Sequence, residues 1–140
     1  MLYQMAGLSE LQKVNMSRLL LAIVLTVIST SVLAEWTLVN SEDSFESYVN
    51  LDTIRKDGDK AKIWNMINYK VRNGRPYLSE SSLLAFDCKE ETLRVLSLNR
   101  FKKEMGMGEV TSSDNSPGEL VYVSPGSYGE KLLKTACGKK

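Results

Sequence analysis

The chain has 140 residues, 43% of them hydrophobic and 25% charged, a globular rather than a disordered balance that allows one domain. Its formal charge is +1, so no overall field draws it to nucleic acid or to an anionic membrane. Histidine is absent, which removes the commonest general base and the commonest metal ligand together; Ser–His and Cys–His nucleophiles are excluded, and two cysteines cannot complete a zinc site.

In chain order, residues 1–15 carry no strong pattern. Met16-Ser17-Arg18 supplies a positive start, residues 19–27 are apolar apart from Thr26, and Ser29, Thr30 and Ser31 turn the run polar before Val32, Leu33 and Ala34. That order is the one a secretory signal follows. It predicts cleavage between Ala34 and Glu35, with Met16 as the true start. A membrane span needs about 20 apolar residues, and this run is shorter. Glu35 offers no thiol for a lipid. The expectation is an exported protein, periplasmic or secreted, not lipid-anchored, that meets the membrane only through its signal segment. Export also bears on Cys88 and Cys137. They lack the Cys-x-x-Cys spacing of a redox pair, and in an exported domain two cysteines predict one structural disulfide.

The mature chain reads as a meander. Residues 35–40 open it, with Trp36, Leu38 and Asn40 expected on one face. In residues 45–50, Phe45, Ser47 and Val49 alternate with Glu46 and Tyr48, the half-buried strand signal. Asp57-Gly58 predicts a tight turn. Residues 60–71 form the longest strand, with Ala61, Ile63, Asn65, Ile67 and Tyr69 opposite Trp64 and Met66. Asn73-Gly74 predicts a further turn, and residues 77–88 return with Glu80, Ser82, Leu84, Phe86 and Cys88 on one face. Residues 92–103 run out again, with Arg94, Leu96, Leu98 and Arg100 expected on one side and Val95, Ser97 and Phe101 on the other. Met105-Gly106-Met107-Gly108 reads as a flexible corner, residues 109–112 as a short last strand, and residues 120–123 as an extended apolar stretch packed on the sheet.

Ser127-Tyr128-Gly129-Glu130 matches a capping box and starts a helix with Tyr128, Leu132, Leu133, Ala136 and Cys137 on its apolar side, Lys131 and Lys134 facing out and Gly138 ending it. The predicted fold is α+β, mainly β: an antiparallel meander of about six strands with a C-terminal helix tethered by the disulfide.

No motif for catalysis or for a cofactor appears. Gly106-Met107-Gly108 is too short for a dinucleotide or phosphate loop. Asp52, Asp57 and Asp59 flank a turn without the closing glutamate of a calcium loop. Carboxylate-only chemistry such as glycoside cleavage is the one enzymatic route left, and the carboxylates do not cluster along the sequence. Three features remain as binding candidates. Arg55, Lys56, Lys60 and Lys62 form a basic edge suited to an acidic partner, though lysines also guard exposed sheet edges. Trp64 and Met66 share a strand face, more as core than as a contact surface. Arg94, Arg100, Lys102 and Lys103 form a possible basic stripe, which the neutral total argues against as a nucleic-acid surface.

With these residues placed, the chain resembles the surface-adhesin protein E family. The likeness runs from Trp36 through Asp52-x-Ile54-Arg55-x-Asp57-Gly58, Trp64, Phe86-Asp87-Cys88 and Met105-Gly106-x-Gly108 to Pro125-Gly126-Ser127, Leu132-Leu133 and Cys137. The resemblance implies a curved antiparallel sheet of about six strands, a disulfide-held helix and a non-enzymatic exported protein without metal or cofactor. It also implies a protein partner, either host matrix or cell envelope. A periplasmic accessory protein with no adhesive role is the alternative, because Glu35 stands where the lipid-bearing cysteine would be.

Overall fold

The computed structural model describes residues 35–138. The signal segment expected in residues 1–34 and the possible start at Met16 therefore lie outside the described residues.

Six strands follow one another across the sheet in chain order, each antiparallel to the last: β1 (Trp36–Ser41), β2 (Phe45–Asp57), β3 (Lys60–Tyr69), β4 (Ser79–Asp87), β5 (Thr92–Phe101) and β6 (Val110–Asp114). A two-residue strand, β7 (Val121–Tyr122), pairs with the other end of β5. Among the described residues one α-helix, α1 (Tyr128–Cys137), packs on one face. This is the predicted meander and helix, with β7 in addition.

Each hairpin has a local cause. Gly58, at φ 56°, turns the chain between β2 and β3, so the pair at the centre of that turn is Gly58-Asp59 rather than Asp57-Gly58. Asn73 (φ 45°) and Gly74 (φ 77°) lie within the β3–β4 loop, closed by a bond from the Arg75 N–H to the Arg72 carbonyl (2.9 Å). Both residue types tolerate positive φ, as such a turn requires.

The helix-side core collects Val49, Ala61, Ile63, Leu84 and Phe86 from the sheet and Leu132, Leu133 and Ala136 from α1. Period-two alternation in β2, β3 and β4 delivers these strand residues to one face. A polar group sits among them. The Tyr128 hydroxyl accepts from the Asn65 amide (2.7 Å) and bonds the Ser47 hydroxyl. Burial pushes the Tyr128 phenol up to about 12. α1 begins as the sequence suggests, with the Ser127 hydroxyl accepting from the Glu130 N–H (3.2 Å). The glutamate reaches one residue further back than a capping box requires and accepts from the Gly126 N–H (2.9 Å). Gly138, at φ 68°, ends the helix. Cys88 and Cys137 are joined, with Cα atoms 5.8 Å apart, so the bridge fixes the end of α1 to the end of β4.

Further expectations change. The longest strand is β2, with 13 residues, and not the strand expected over residues 60–71, which has 10. A bulge between Leu38 and Asn40 keeps Trp36 and Leu38 on the open face but turns Asn40 inward, where it is buried and accepts from the Lys131 ammonium. Between Leu83 and Leu84 the pairing of β5 shifts by one residue at Leu96. Arg94 therefore faces the open side while Leu98 and Arg100 face the helix side, so the shared face predicted for them does not exist. The corner at 105–108 is a short 3-10 turn (Glu104–Gly106) bonded to the sheet: the Met105 N–H donates to Asn68 (2.9 Å) and the Gly106 N–H to Ser79 (2.9 Å). Finally, the stretch before the helix lies along the edge of β5 instead of on the sheet face. Leu120, Val121 and Tyr122 are exposed, and only Val123 packs against the core.

Candidate functional site

The β2–β3 hairpin carries the predicted basic edge. Its register sets Arg55 opposite Lys62, Lys56 opposite Ala61 and Asp57 opposite Lys60. Ala61 is buried on the helix side, so Arg55, Lys60 and Lys62 project from the open face and Lys56 from the helix side. All four are exposed. The Lys56 ammonium lies at the C-terminus of α1, so near that a Cβ on Gly138 would fall 2.7 Å from it. A cation there complements the negative end of the helix dipole. The structure therefore gathers three of the four residues and gives the fourth to the helix.

The three differ in how far their charge is engaged. Lys60 forms an ion pair with Asp87. That contact, helped by the Glu90 and Lys89 N–H groups, holds the Asp87 carboxyl down at about 2. The Arg55 guanidinium donates to the carbonyls of Asp52 (2.8 Å) and Ile54 (2.9 Å), which the irregular stretch between Asn50 and Arg55 turns toward it. Lys62 has no ion pair among the described residues.

The register extends this surface beyond the residues that the sequence grouped. Lys62 pairs with Ala85, and Ala85 pairs with Arg94. Arg55, Lys62, Ala85 and Arg94 thus form one row across β2, β3, β4 and β5. The Ala85 methyl leaves a low point between two long cationic side chains, and a groove of about 380 Å³ opens there, with Lys60, Leu96 and Leu120 along its sides. Arg94 was expected with Arg100, Lys102 and Lys103. The Leu96 shift breaks that stripe: Arg100 turns to the helix side and pairs with Glu80 (3.1 Å), while Lys102 pairs with Glu109 (3.0 Å). Nothing in the linear order relates Arg94 to Lys62; only the strand register does.

The remaining candidates serve the fold. Met66 is buried beneath the 3-10 turn, and a Cβ on Gly106 would meet its Cε at 2.8 Å. Trp64 is half-buried beside a shallow hollow that Trp36, Asn50, Ser81 and Phe101 also line. Glu80 accepts from the Tyr69 hydroxyl (2.6 Å) as well as from Arg100. Burial, and then the bond to Glu80, raises the Tyr69 phenol well above its ordinary range. Arg75 stacks 4.3 Å above the Tyr69 ring. This half-buried carboxylate is thus committed to a phenol and a guanidinium. Among the described residues no group of histidine, cysteine, aspartate and glutamate side chains could hold a metal ion, and no helix is long and apolar enough to cross a membrane.

Comparison with known proteins agrees with this architecture. A crystal structure (form II) of Haemophilus influenzae protein E superposes with a TM-score of 0.54 at 10% identity, over 71% of this chain and 91% of that one. Protein E from non-typeable Haemophilus influenzae gives 0.55 at 12% identity, over 78% of this chain and 79% of that one. At such identities the likeness carries the fold alone. No curated protein matches the sequence. The family model of surface-adhesin protein E matches residues 36–138, nearly the whole of the folded domain, and the chain therefore belongs to that family, a non-enzymatic adhesin class.

Proposed function

We propose that the chain is an exported protein-binding module. Its signal is cut after Ala34, and its basic hairpin edge of Arg55, Lys60 and Lys62, with Lys56 at the rim, contacts an acidic protein partner. The observation that carries this reading is membership of an adhesin family combined with exposed cations on a sheet face that no helix covers among the described residues. Exposed cations steer an acidic partner and set its orientation more than they add affinity.

Affinity capture from periplasmic and matrix extracts tests the proposal. Wild-type protein is expected to retain an acidic protein that the Arg55→Glu, Lys56→Glu variant releases. Equal retention by the two proteins would remove this edge as the contact surface.

A second reading is a periplasmic envelope accessory with no adhesive role, and one residue favours it. Glu35 follows the expected cut, so the mature N-terminus offers no cysteine for a lipid. Protease shaving of intact cells separates the two: cleavage only after the outer membrane is permeabilised selects the accessory.

A further inference from the structure

We propose that the row Arg55–Lys62–Ala85–Arg94 is a docking groove for an extended acidic segment of a partner protein, with the pattern acidic-x-apolar-x-acidic. This rests on the protein-binding reading above and names the chemistry that the site accepts.

Charge complementarity carries the argument. Neighbouring strands lie about 4.8 Å apart, so Lys62 and Arg94, separated by one strand, stand about 10 Å apart along the row. Neither has an ion pair among the described residues, and both are exposed. Lys62 also faces Arg55 directly across the β2–β3 pair. Like charges set opposite each other in a sheet repel and cost stability, and an anion between them relieves that cost. The two carboxylates of the adjoining row face Lys60 instead. Asp87 is bound to Lys60, and Asp57 faces Lys60 from across the hairpin, one row further toward the turn.

The floor specifies the rest of the ligand. Ala85 offers a methyl at the low point, and Leu96 and Leu120 supply apolar walls. Leu120 is 57% exposed, an apolar side chain left without cover at the groove's edge. In an extended peptide, side chains at i, i+2 and i+4 point the same way with about 6.8 Å between neighbours. An apolar residue at i+2 therefore enters the groove over Ala85, while acids at i and i+4 spread to Lys62 and Arg94. A single-chain lipid is a poorer occupant. Sites for small apolar ligands enclose most of the ligand's surface, whereas this groove is open and floored by one methyl group.

The test uses the purified protein with its disulfide intact and a fluorescent peptide centred on Glu-Ser-Leu-Ser-Glu, read by anisotropy. Saturable binding that weakens as salt rises is expected. Arg94→Glu and Lys62→Glu should each weaken it by about tenfold or more. Ala85→Phe keeps every charge but fills the low point, and should abolish binding. A peptide with the leucine replaced by serine should bind more weakly. Circular dichroism and thiol titration establish that each variant is folded and oxidised. Absence of peptide binding, binding indifferent to Arg94→Glu and Ala85→Phe in folded variants, or preferential binding to phosphatidylglycerol vesicles would each overturn the proposal. Failure here is distinguishable from failure of the broader reading. A protein captured by wild type, released by the Arg55→Glu, Lys56→Glu variant and still held by the Lys62→Glu, Arg94→Glu variant would retain the binding module and discard the groove.

Discussion

At the scale of single residues, Tyr128 is the most exacting position. Its hydroxyl partners two buried polar side chains, Ser47 and Asn65, beneath the helix. Tyr128→Phe keeps the ring, and its edge contact with Phe45, but takes away the hydroxyl. Leaving buried polar groups without a partner costs about 1–3 kcal/mol, so the variant's urea midpoint should fall accordingly at an unchanged slope. Titration should show the same burial. The folded phenol lies above its ordinary value of 10.0, so the stability tied to its neutral form is whole below pH 10 and is lost as pH rises toward about 12. Alkaline unfolding followed by tyrosinate absorbance should shift when Tyr128 is replaced. Asp87 behaves in the opposite sense. Its folded value lies below 3.8, at about 2, so the stability from its ionised form is present above pH 3.8 and is lost as pH falls through about 2. Asp87→Asn should lower stability slightly at neutral pH and leave it unchanged below about pH 2, which flattens the acid limb; the effect is small because the Lys60 contact is at the surface.

At the scale of elements, two attachments hold α1. The disulfide closes a separation of 49 residues. In the chain-entropy model, a loop of that size stabilises the fold by about 4 kcal/mol, a ceiling for what Cys88→Ser with Cys137→Ser should remove in denaturant unfolding. Ser127→Ala removes the cap and should cost about 1 kcal/mol by the same measurement. Both attachments are legible in the sequence, because each depends on residue types at fixed local positions or on the sole pair of cysteines. The regular parts of β2, β3 and β4 are legible for a similar reason, since alternation in one strand already defines its two faces. The irregular positions are not. The bulge between Leu38 and Asn40 and the shift at Leu96 arise from how a strand meets its neighbour, and nothing in β1 or β5 alone marks them. For that reason Arg94 was grouped with Arg100 when its true neighbours in the row are Ala85 and Lys62. The candidate site was half visible: the hairpin cations lie close together in sequence, whereas their continuation crosses two further strands.

At the scale of the whole molecule, function depends on where the chain goes. Export with removal of residues 1–34 predicts an intact mass for a protein that begins at Glu35 with two fewer hydrogen atoms than its dithiol form. A mass that retains the apolar run 19–27 would overturn cleavage and turn attention to an anchored protein. The near-neutral formal charge makes the groove a local feature rather than part of a general basic surface. Raising salt should therefore weaken partner binding while leaving unfolding by urea almost unmoved, since the principal supports of the fold are apolar burial and one covalent bond.

The order of the strands has a consequence for how the chain matures. Each strand from β1 to β6 pairs with the one made just before it, so the meander can assemble progressively as the polypeptide emerges. Cys88 is then in place while Cys137 is still to be synthesised, and during that interval it has no intramolecular thiol with which to react wrongly. Oxidation becomes a closing latch with a single possible outcome. Such a protein calls for an oxidant but has no scrambled isomers for a reshuffling catalyst to correct.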